Sequence, residues 1–319
     1  MGLNILYTMR QKIFNFDSIP NNSVTKYEIT SENYRFVATI NKQVSDIEVL
    51  VGLTDNCAML ELNVDKSLIY LGDVFYLPKC ANRVLDPEKL LDKGSGTIEF
   101  LNATISFLFT IFKGIYGITF RDMSYIKSKI DNDIEVSLRD IYLACYGKTW
   151  YEEHFKALPA DMEHTYDMLY KFNKHCENTI CNDFTDFRTK YIDRFKLSSS
   201  SIQIISDTYN DTLGNNIRDF FVKLRSHDCS IYNGWLSYFV KKHTKTNLDY
   251  TTWVIIPEYT NNTPINYTQI FSDKTHQGGS ANRTISLFTK NKTHYVWDNY
   301  IKDKLLQYNL SNSDTKLTP

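Results

Sequence analysis

Glycine and proline are scarce in this chain, 12 and 7 among 319 residues. That shortage excludes a collagenous chain or a Gly/Pro-rich disordered one. Charge of one sign is missing as well: 36 basic residues face 37 acidic ones, for a net charge of −1. No global field therefore draws the chain to nucleic acid or to an anionic membrane, and a nucleic-acid partner is not expected. Long hydrophobic runs are absent too. The most apolar stretch, Phe100–Phe112, is too short to cross a bilayer and is flanked by Glu99 and Lys113, so it reads as a buried helix. The cysteines at 57, 80, 145, 176, 181 and 229 show no repeated spacing, which fits reduced thiols better than a disulfide framework. Met1–Tyr7 is weakly apolar, and Arg10 and Lys12 follow it instead of leading, so no secretory leader is expected. These absences describe a soluble cytoplasmic chain with no membrane span.

What is abundant is aromatic and β-branched material, with 22 Tyr and 19 Phe. A hydrophobic share of 42% belongs to a folded chain with a substantial core. The joint enrichment in Asn, Ile, Lys, Tyr and Phe also matches A/T-rich codons. Residues 24–78 alternate apolar and polar side chains in five runs: Val24–Thr30, Tyr34–Asn41, Ile47–Leu53, Ala58–Val64 and Leu68–Leu77. Turn-formers such as Asp55-Asn56 separate them, which predicts an antiparallel β-meander. A loop with a short helical piece at Asp86–Leu91 follows, and Lys93-Gly94-Ser95-Gly96-Thr97 opens a helix from about Ile98 to Phe112. Gly117–Asp122 reads as a strand. Ser137 caps a helix over Leu138–Tyr146, with Gly147 in the position that ends it.

Beyond Pro159 the pattern turns helical, with an apolar stripe through Met162, Tyr166, Leu169 and Phe172. Phe184–Phe195 reads as a partner helix, and Leu197–Ser201 as a serine-rich linker. A short strand at Ile202–Ser206, helices near Asn216–Arg225 and Tyr232–His243, and a strand at Thr251–Ile256 are expected next. A glycine-containing loop at Thr275–Arg283, a strand at Thr284–Thr289 and a final helix at His294–Tyr308 complete the reading. The fold class is α+β: an N-terminal antiparallel meander with packed helices, then a helical and mixed α/β C-terminal part. Three domains follow from it: 1–160, a helical hairpin and linker at 161–200, and a mixed C-terminal domain at 201–319.

Few residues carry legible chemistry. Gly147-Lys148-Thr149 looks like the tail of a phosphate loop, but the glycine that such a loop needs five positions earlier is Tyr142. Trp150-Tyr151-Glu152-Glu153-His154-Phe155 is therefore read as an amphipathic turn whose Trp150 and Phe155 anchor the core. Lys93–Thr97 reads in two ways. Its glycines would let an anion approach the positive end of a helix, with Lys93 as compensating cation; otherwise it is a loop with Ser95 or Thr97 as N-cap. His175-Cys176 with Cys181, and His227 with Cys229, lack the paired spacing of a structural zinc site, and no metal is expected. Lys241-Lys242-His243-Thr244-Lys245 follows an aromatic helix; it reads as a solvated helix end before it reads as a strand-binding patch. His276–Arg283 reads equally as an anion cradle and as a surface hairpin. Neither a Gly-x-Ser-x-Gly elbow nor a His-Glu-x-x-His helix occurs in the sequence.

A meander, a glycine loop, a helix, a strand, a second helix and a Tyr-Glu…Phe segment, in that order, resemble the GNAT family of acyl-CoA N-acyltransferases over roughly residues 24–160. In that family an Arg/Gln-x-x-Gly-x-Gly/Ala loop holds the coenzyme pyrophosphate. A later Tyr-Glu-Lys-x-Gly-Phe-like segment supplies a tyrosine that protonates the departing thiolate. The resemblance implies that Lys93, Gly94, Ser95, Gly96 and Thr97 bind acetyl-CoA or a related acyl-CoA. It implies Tyr151 as general acid and Glu152 as a proton relay. Lys93 stands where the family has Arg or Gln, Ile98 where it has a small residue, and His154 where it has glycine. The strings at 118–128 and 146–157 also look similar to uncharacterised proteins of large cytoplasmic DNA viruses, which implies a setting in the host cytoplasm or the virion. Two functions are expected from this: a viral interaction or assembly protein on a degenerate acyltransferase-like domain, with a protein partner and no turnover; or a working acyl-CoA-dependent N-acyltransferase.

Overall fold

The structure, a computed structural model, describes residues 19–54, 57–64, 68–74, 95–122, 124–131, 133–245, 248–257 and 265–274. The architecture is mixed α and β, with one large mixed sheet and eight α-helices among the described residues. The chain divides into two compact units, residues 1–120 with 254–319, and residues 121–253.

In the first unit the alternating runs form β1 (Ser23–Thr30), β2 (Arg35–Lys42), β3 (Ile47–Thr54), β4 (Cys57–Val64) and β5 (Leu68–Val74). All four successive pairings are antiparallel. The register brings Tyr27 opposite Ala38, Ile29 opposite Phe36, Ile40 opposite Val49, and Ile47 opposite Val64. Directly opposed residues share a face, so the period-2 pattern of each strand merges into one continuous apolar surface. Helix α1 (Ser95–Ile111) covers it. The ring of Phe100 lies 5.0 Å from Phe36, and that of Phe107 lies 5.3 Å from Tyr27. Phe36, Phe100, Phe107, Leu108 and Phe112 are fully buried.

After α1 the chain enters β6 (Gly117–Arg121), which runs parallel to β5 and pairs through Leu68–Gly117, Ile69–Ile118 and Tyr70–Thr119 only. Strand β10 (Thr252–Ile255) lies beyond β6. Gly117 permits that approach, because a Cβ there would meet the Ile255 carbonyl oxygen at 2.8 Å and Val254 Cγ1 at 2.9 Å. At the other edge, β11 (Asn266–Lys274) pairs antiparallel with β1 and carries a bulge opposite Lys26/Tyr27. This strand is absent from the periodicity reading. Its run Asn-Tyr-Thr-Gln-Ile-Phe-Ser-Asp-Lys has little apolar alternation, as suits an edge strand with few buried positions.

The second unit starts with a small ribbon, β7 (Tyr125–Lys127) and β8 (Glu135–Ser137), and is otherwise mainly helical apart from a two-residue strand at Leu158–Pro159. Its helices are α2 (Leu138–Tyr146), α3 (Trp150–Phe155), α4 (Met162–Asn178), α5 (Phe184–Phe187), α6 (Ser199–Asn210), α7 (Ile217–Leu224) and α8 (Trp235–Thr244). Phe172, Phe220, Phe221, Trp235 and Phe239 form a fully buried aromatic core. The end of α2 is closed as expected: Gly147 sits at φ +73°, and its N–H bonds back to Leu143 O. Arg218 donates to Leu143 O and Ala144 O, and Asn173 donates to Gly147 O, so the last carbonyls of α2 are satisfied from α7 and α4.

Two expectations fail here. Leu197–Ser201 is not a linker, and Ile202–Ser206 is not a strand; they form the cap and first two turns of α6. Ser198 accepts from Ser201 N as N-cap, and Ile205, Thr208 and Tyr209 repeat at helical spacing on the buried side. Phe184–Phe195 is not one helix. Four residues of α5 pass into a π-turn at Arg188–Ile192, which turns Tyr191 and Ile192 into the core. The readings at Asp86–Leu91, Thr275–Arg283, Thr284–Thr289 and His294–Tyr308 lie outside the described residues.

Gly117→Ala should destabilise the protein by about 1–3 kcal/mol, since backbone and a packed Val must move to admit the methyl group. Urea unfolding would show a lower midpoint at unchanged slope. A midpoint equal to that of the wild type would count against the close β6–β10 approach.

Candidate functional site

The residues expected to do chemistry fall in different units and are described separately. In the second unit, α3 begins at Thr149, whose side chain accepts from Glu152 N at 3.2 Å while Glu152 Oε2 accepts from Thr149 N at 2.7 Å. This is a closed capping box, and it engages the Glu152 carboxylate in holding the helix start. Burial raises the Glu152 carboxyl above its ordinary range despite the two hydrogen bonds with Thr149. Tyr151 is 7% exposed, with its ring 4.9 Å from Trp150 and 5.7 Å from Phe155. Burial first, and then the charge of Asp122, push its phenol well above the usual tyrosine range. Trp150 and Phe155 are buried, as anchors of the core should be.

Next to these lies a group that the sequence reading did not single out. Asp122 is 1% exposed; its Oδ1 accepts from Ser124 N and Ser124 Oγ, whereas its Oδ2 has no hydrogen-bond partner. Burial raises this carboxyl, against the lowering effect of Ser124 and Arg139. Arg139 is buried beside it and donates through Nε to Asp140 Oδ1 at 3.0 Å and through Nη2 to Asp249 Oδ1 at 2.8 Å. Asp140 in turn accepts from Ser237 Oγ. Asp122 acts electrostatically on both Tyr151 and Glu152. Ionisation of Asp122 therefore opposes ionisation of both the phenol and the second carboxyl. In the sequence only the adjacent Arg139-Asp140 just after a capping serine marks an inward-turned charge pair; Asp122 itself carries no such mark.

In the first unit, Ser95, Gly96 and Thr97 form the first turn of α1, with Gly96 buried. Lys93 and Gly94 lie outside the described residues. Glu99 follows that turn, and its carboxylate accepts from Ser31 Oγ at 2.6 Å, Asn33 N at 2.9 Å and Asn33 Nδ2 at 2.9 Å. These bonds tie the N-terminal part of α1 to the β1–β2 turn.

Four cysteines are free thiols among the described residues. Cys145, Cys176, Cys181 and Cys229 are buried and unpaired, and burial pushes Cys176 up to about 12, so it is not a ready nucleophile. Among the described residues no group of three His, Cys, Asp or Glu could hold a metal ion. Lys241, Lys242 and His243 make the last turn of α8, where cations are favoured. No helix among the described residues is long and apolar enough to cross a membrane. The chain matches no family model, no curated protein and no solved structure.

Thr149→Ala should cost about 1 kcal/mol by opening the capping box, and Thr149→Ser should restore most of it. Chemical denaturation decides this; an unchanged midpoint for the alanine variant would mean that the box holds nothing. Asp122 should titrate above its ordinary value of 3.8. With a raised folded-state pKa, its contribution to stability is full below the unfolded value and is lost as pH rises through the folded one. Carboxyl carbon NMR measures that midpoint, and a value at or below 3.8 would refute the burial argument.

Proposed function

We propose that this is a viral interaction or assembly protein, built on a degenerate acyltransferase-like domain and working without turnover. The observation that carries the reading is β11. It is the terminal strand of the described sheet, with pairing to β1 on one side, and it exposes Tyr267 at 41%, Ile270 at 51% and Phe271 at 44%. A nine-residue edge with apolar side chains in water is a template for strand addition by a partner. The bulge leaves Ile270 without a partner in the register, between the Gln269–Tyr27 and Phe271–Lys26 pairs. The absence of turnover is supported by Glu152, engaged in the capping box, and by Tyr151, packed against Trp150 and Phe155. The viral setting, in host cytoplasm or virion, rests on the likeness of residues 118–128 and 146–157 to proteins of large DNA viruses. The partner is a protein that adds an extended segment to this edge.

A second reading, an acyl-CoA-dependent N-acyltransferase, is favoured by one feature. Strand β5, helix α1 and parallel β6 form a crossover whose pairing stops at Tyr70–Thr119 while both strands run on. In that reading Lys93, Gly94, Ser95, Gly96 and Thr97 hold the coenzyme pyrophosphate, Tyr151 is the general acid and Glu152 relays a proton.

Ile270→Lys should leave stability within about 0.5 kcal/mol of the wild type, since the residue is half exposed. It should weaken co-purification of the partner roughly tenfold, as loss of an apolar interface anchor does. Equal recovery of partner by both proteins would remove the edge-strand reading. Coenzyme A and acetyl-CoA separate the two functions by thermal shift. A ligand at 100 times its dissociation constant adds about 2.7 kcal/mol of stability. No shift at millimolar coenzyme is expected here, while a shift abolished by Gly96→Trp would establish the enzyme instead.

A further inference from the structure

His175 on α4 and His243 on α8 lie face to face, with ring centroids 3.7 Å apart and planes 14° from parallel. Among the described residues neither ring is anchored by a carboxylate. His175 Nδ1 shares a hydrogen bond with Thr179 Oγ1 at 3.1 Å, and His243 Nε2 shares one with Tyr191 of the π-turn at 2.9 Å. Phe239 closes the stack from within α8, its ring 4.7 Å from His243 and 5.9 Å from His175. Three elements, α4, the π-turn and α8, therefore meet through two imidazoles and a phenol.

The charges that act on His243 are of one sign. Lys242, on α8 itself, places its ammonium 4.7 Å over the Tyr191 ring and opposes a charge on His243, as His175 does from α4. Cys176 on α4 is buried and protonated, and Tyr191 is held above its ordinary pKa by burial and then by Asp186. Asp186 is itself salt-bridged to Lys190, and Arg188 to Asp193, on the π-turn side. From α2 the nearest carboxylate to α8 is Asp140, which is bound to Ser237 and Arg139 at the opposite end of the helix. Among the described residues, a proton on His243 would meet a stacked ring, an ammonium and an apolar floor, and one on His175 a stacked ring and an apolar surround, with no anion shown to receive either.

We propose that the His175–His243 stack is an acid-sensitive latch: both rings are neutral when α4, the π-turn and α8 are docked, and proton uptake releases the end of α8. Protonation would make both ring nitrogens of His243 donors, so the Tyr191 hydroxyl could only accept from Nε2, while the second ring would be left stacked against a cation. The environment agrees with the geometry. Burial lowers His175, and burial, then His175 and Lys242, lower His243 to about 4. For a histidine with a lowered folded-state pKa, the stabilising contribution is full above the unfolded value of 6.5 and is lost as pH falls toward about 4. Opening would uncover Tyr191 and Phe239, so the response is local exposure of an aromatic surface under mild acid.

The test uses the full chain. Imidazole proton NMR should give a midpoint for His243 well below its ordinary 6.5. Amide exchange, corrected for its intrinsic pH dependence, should show protection in 240–245 and 188–192 falling about tenfold per pH unit as the pair begins to charge. His175→Gln/His243→Gln keeps hydrogen-bonding capacity without a titrating ring, and its melting temperature should fall less steeply with pH than that of the wild type. A His243 midpoint at 6.5, or parallel pH profiles for the two proteins, would overturn the latch. If the double variant does not fold, His175→Gln alone, which removes one ring of the stack, should raise the His243 midpoint, and an unmoved midpoint would equally refute the coupling.

Discussion

Burial of one continuous sheet face under α1 is the interaction on which the first unit depends. Five strands present it in register, Tyr27 and Ile29 on β1 through Ile69 on β5, and no strand could bury its inward side alone. Phe100 and Phe107, seven residues apart and so on one side of the helix, reach Phe36 and Tyr27. The apolar run read as too short for a membrane is thus a helix with a large surface to cover. Because α1 must lie along that face, the chain returns parallel to β5, and the β5–β6 pairing is parallel. The meander alone would have remained antiparallel throughout.

In the second unit, regularity comes as much from satisfied backbone ends as from the aromatic core. Short helices leave a large fraction of their peptide groups unpaired, and each such group costs free energy if buried without a partner. Ser137, Thr149, Asp161, Ser198 and Asn216 each accept a backbone N–H at a helix start. At the end of α2, where no cap residue suffices, the long arms of Arg218 and Asn173 arrive from two other helices. Polar side chains in this unit are therefore spent largely on backbone groups, which restrains what remains for chemistry.

That division of labour explains what could be read in advance. Strand positions in β1–β5 and the helices α1, α2, α4 and α7 were legible because their apolar period is local and repeats several times. The Gly147 stop and the Ser137 cap were legible because a single residue type does each job. Leu197–Ser201 misled because serine is common in linkers and in N-caps alike, and only the spacing of Ile205, Thr208 and Tyr209 distinguishes them. The π-turn after Phe187 and the β11 edge were not legible, since both are settled by partners distant in sequence. Asp122 escaped for the same reason: its meaning lies in neighbours such as Arg139 and Tyr151, which no spacing rule brings together.

Side chains that look chemically able in sequence divide, in the structure, by where their free valences go. Glu152 has given an oxygen to a helix cap, and Glu99 has given both of its oxygens to the β1–β2 turn. Tyr151 faces aromatic neighbours that raise the cost of ionising it. Only Asp122 retains a buried oxygen without a hydrogen-bond partner in this neighbourhood, and burial holds that carboxyl toward its protonated form. A reaction centre needs groups whose bonds are left open until substrate arrives. For Glu152 and Glu99 such bonds are already made within the chain, while the apolar edge at Ile270 and Phe271 is turned to solvent. That contrast between satisfied polar groups and exposed apolar surface is what the proposed recognition role rests on.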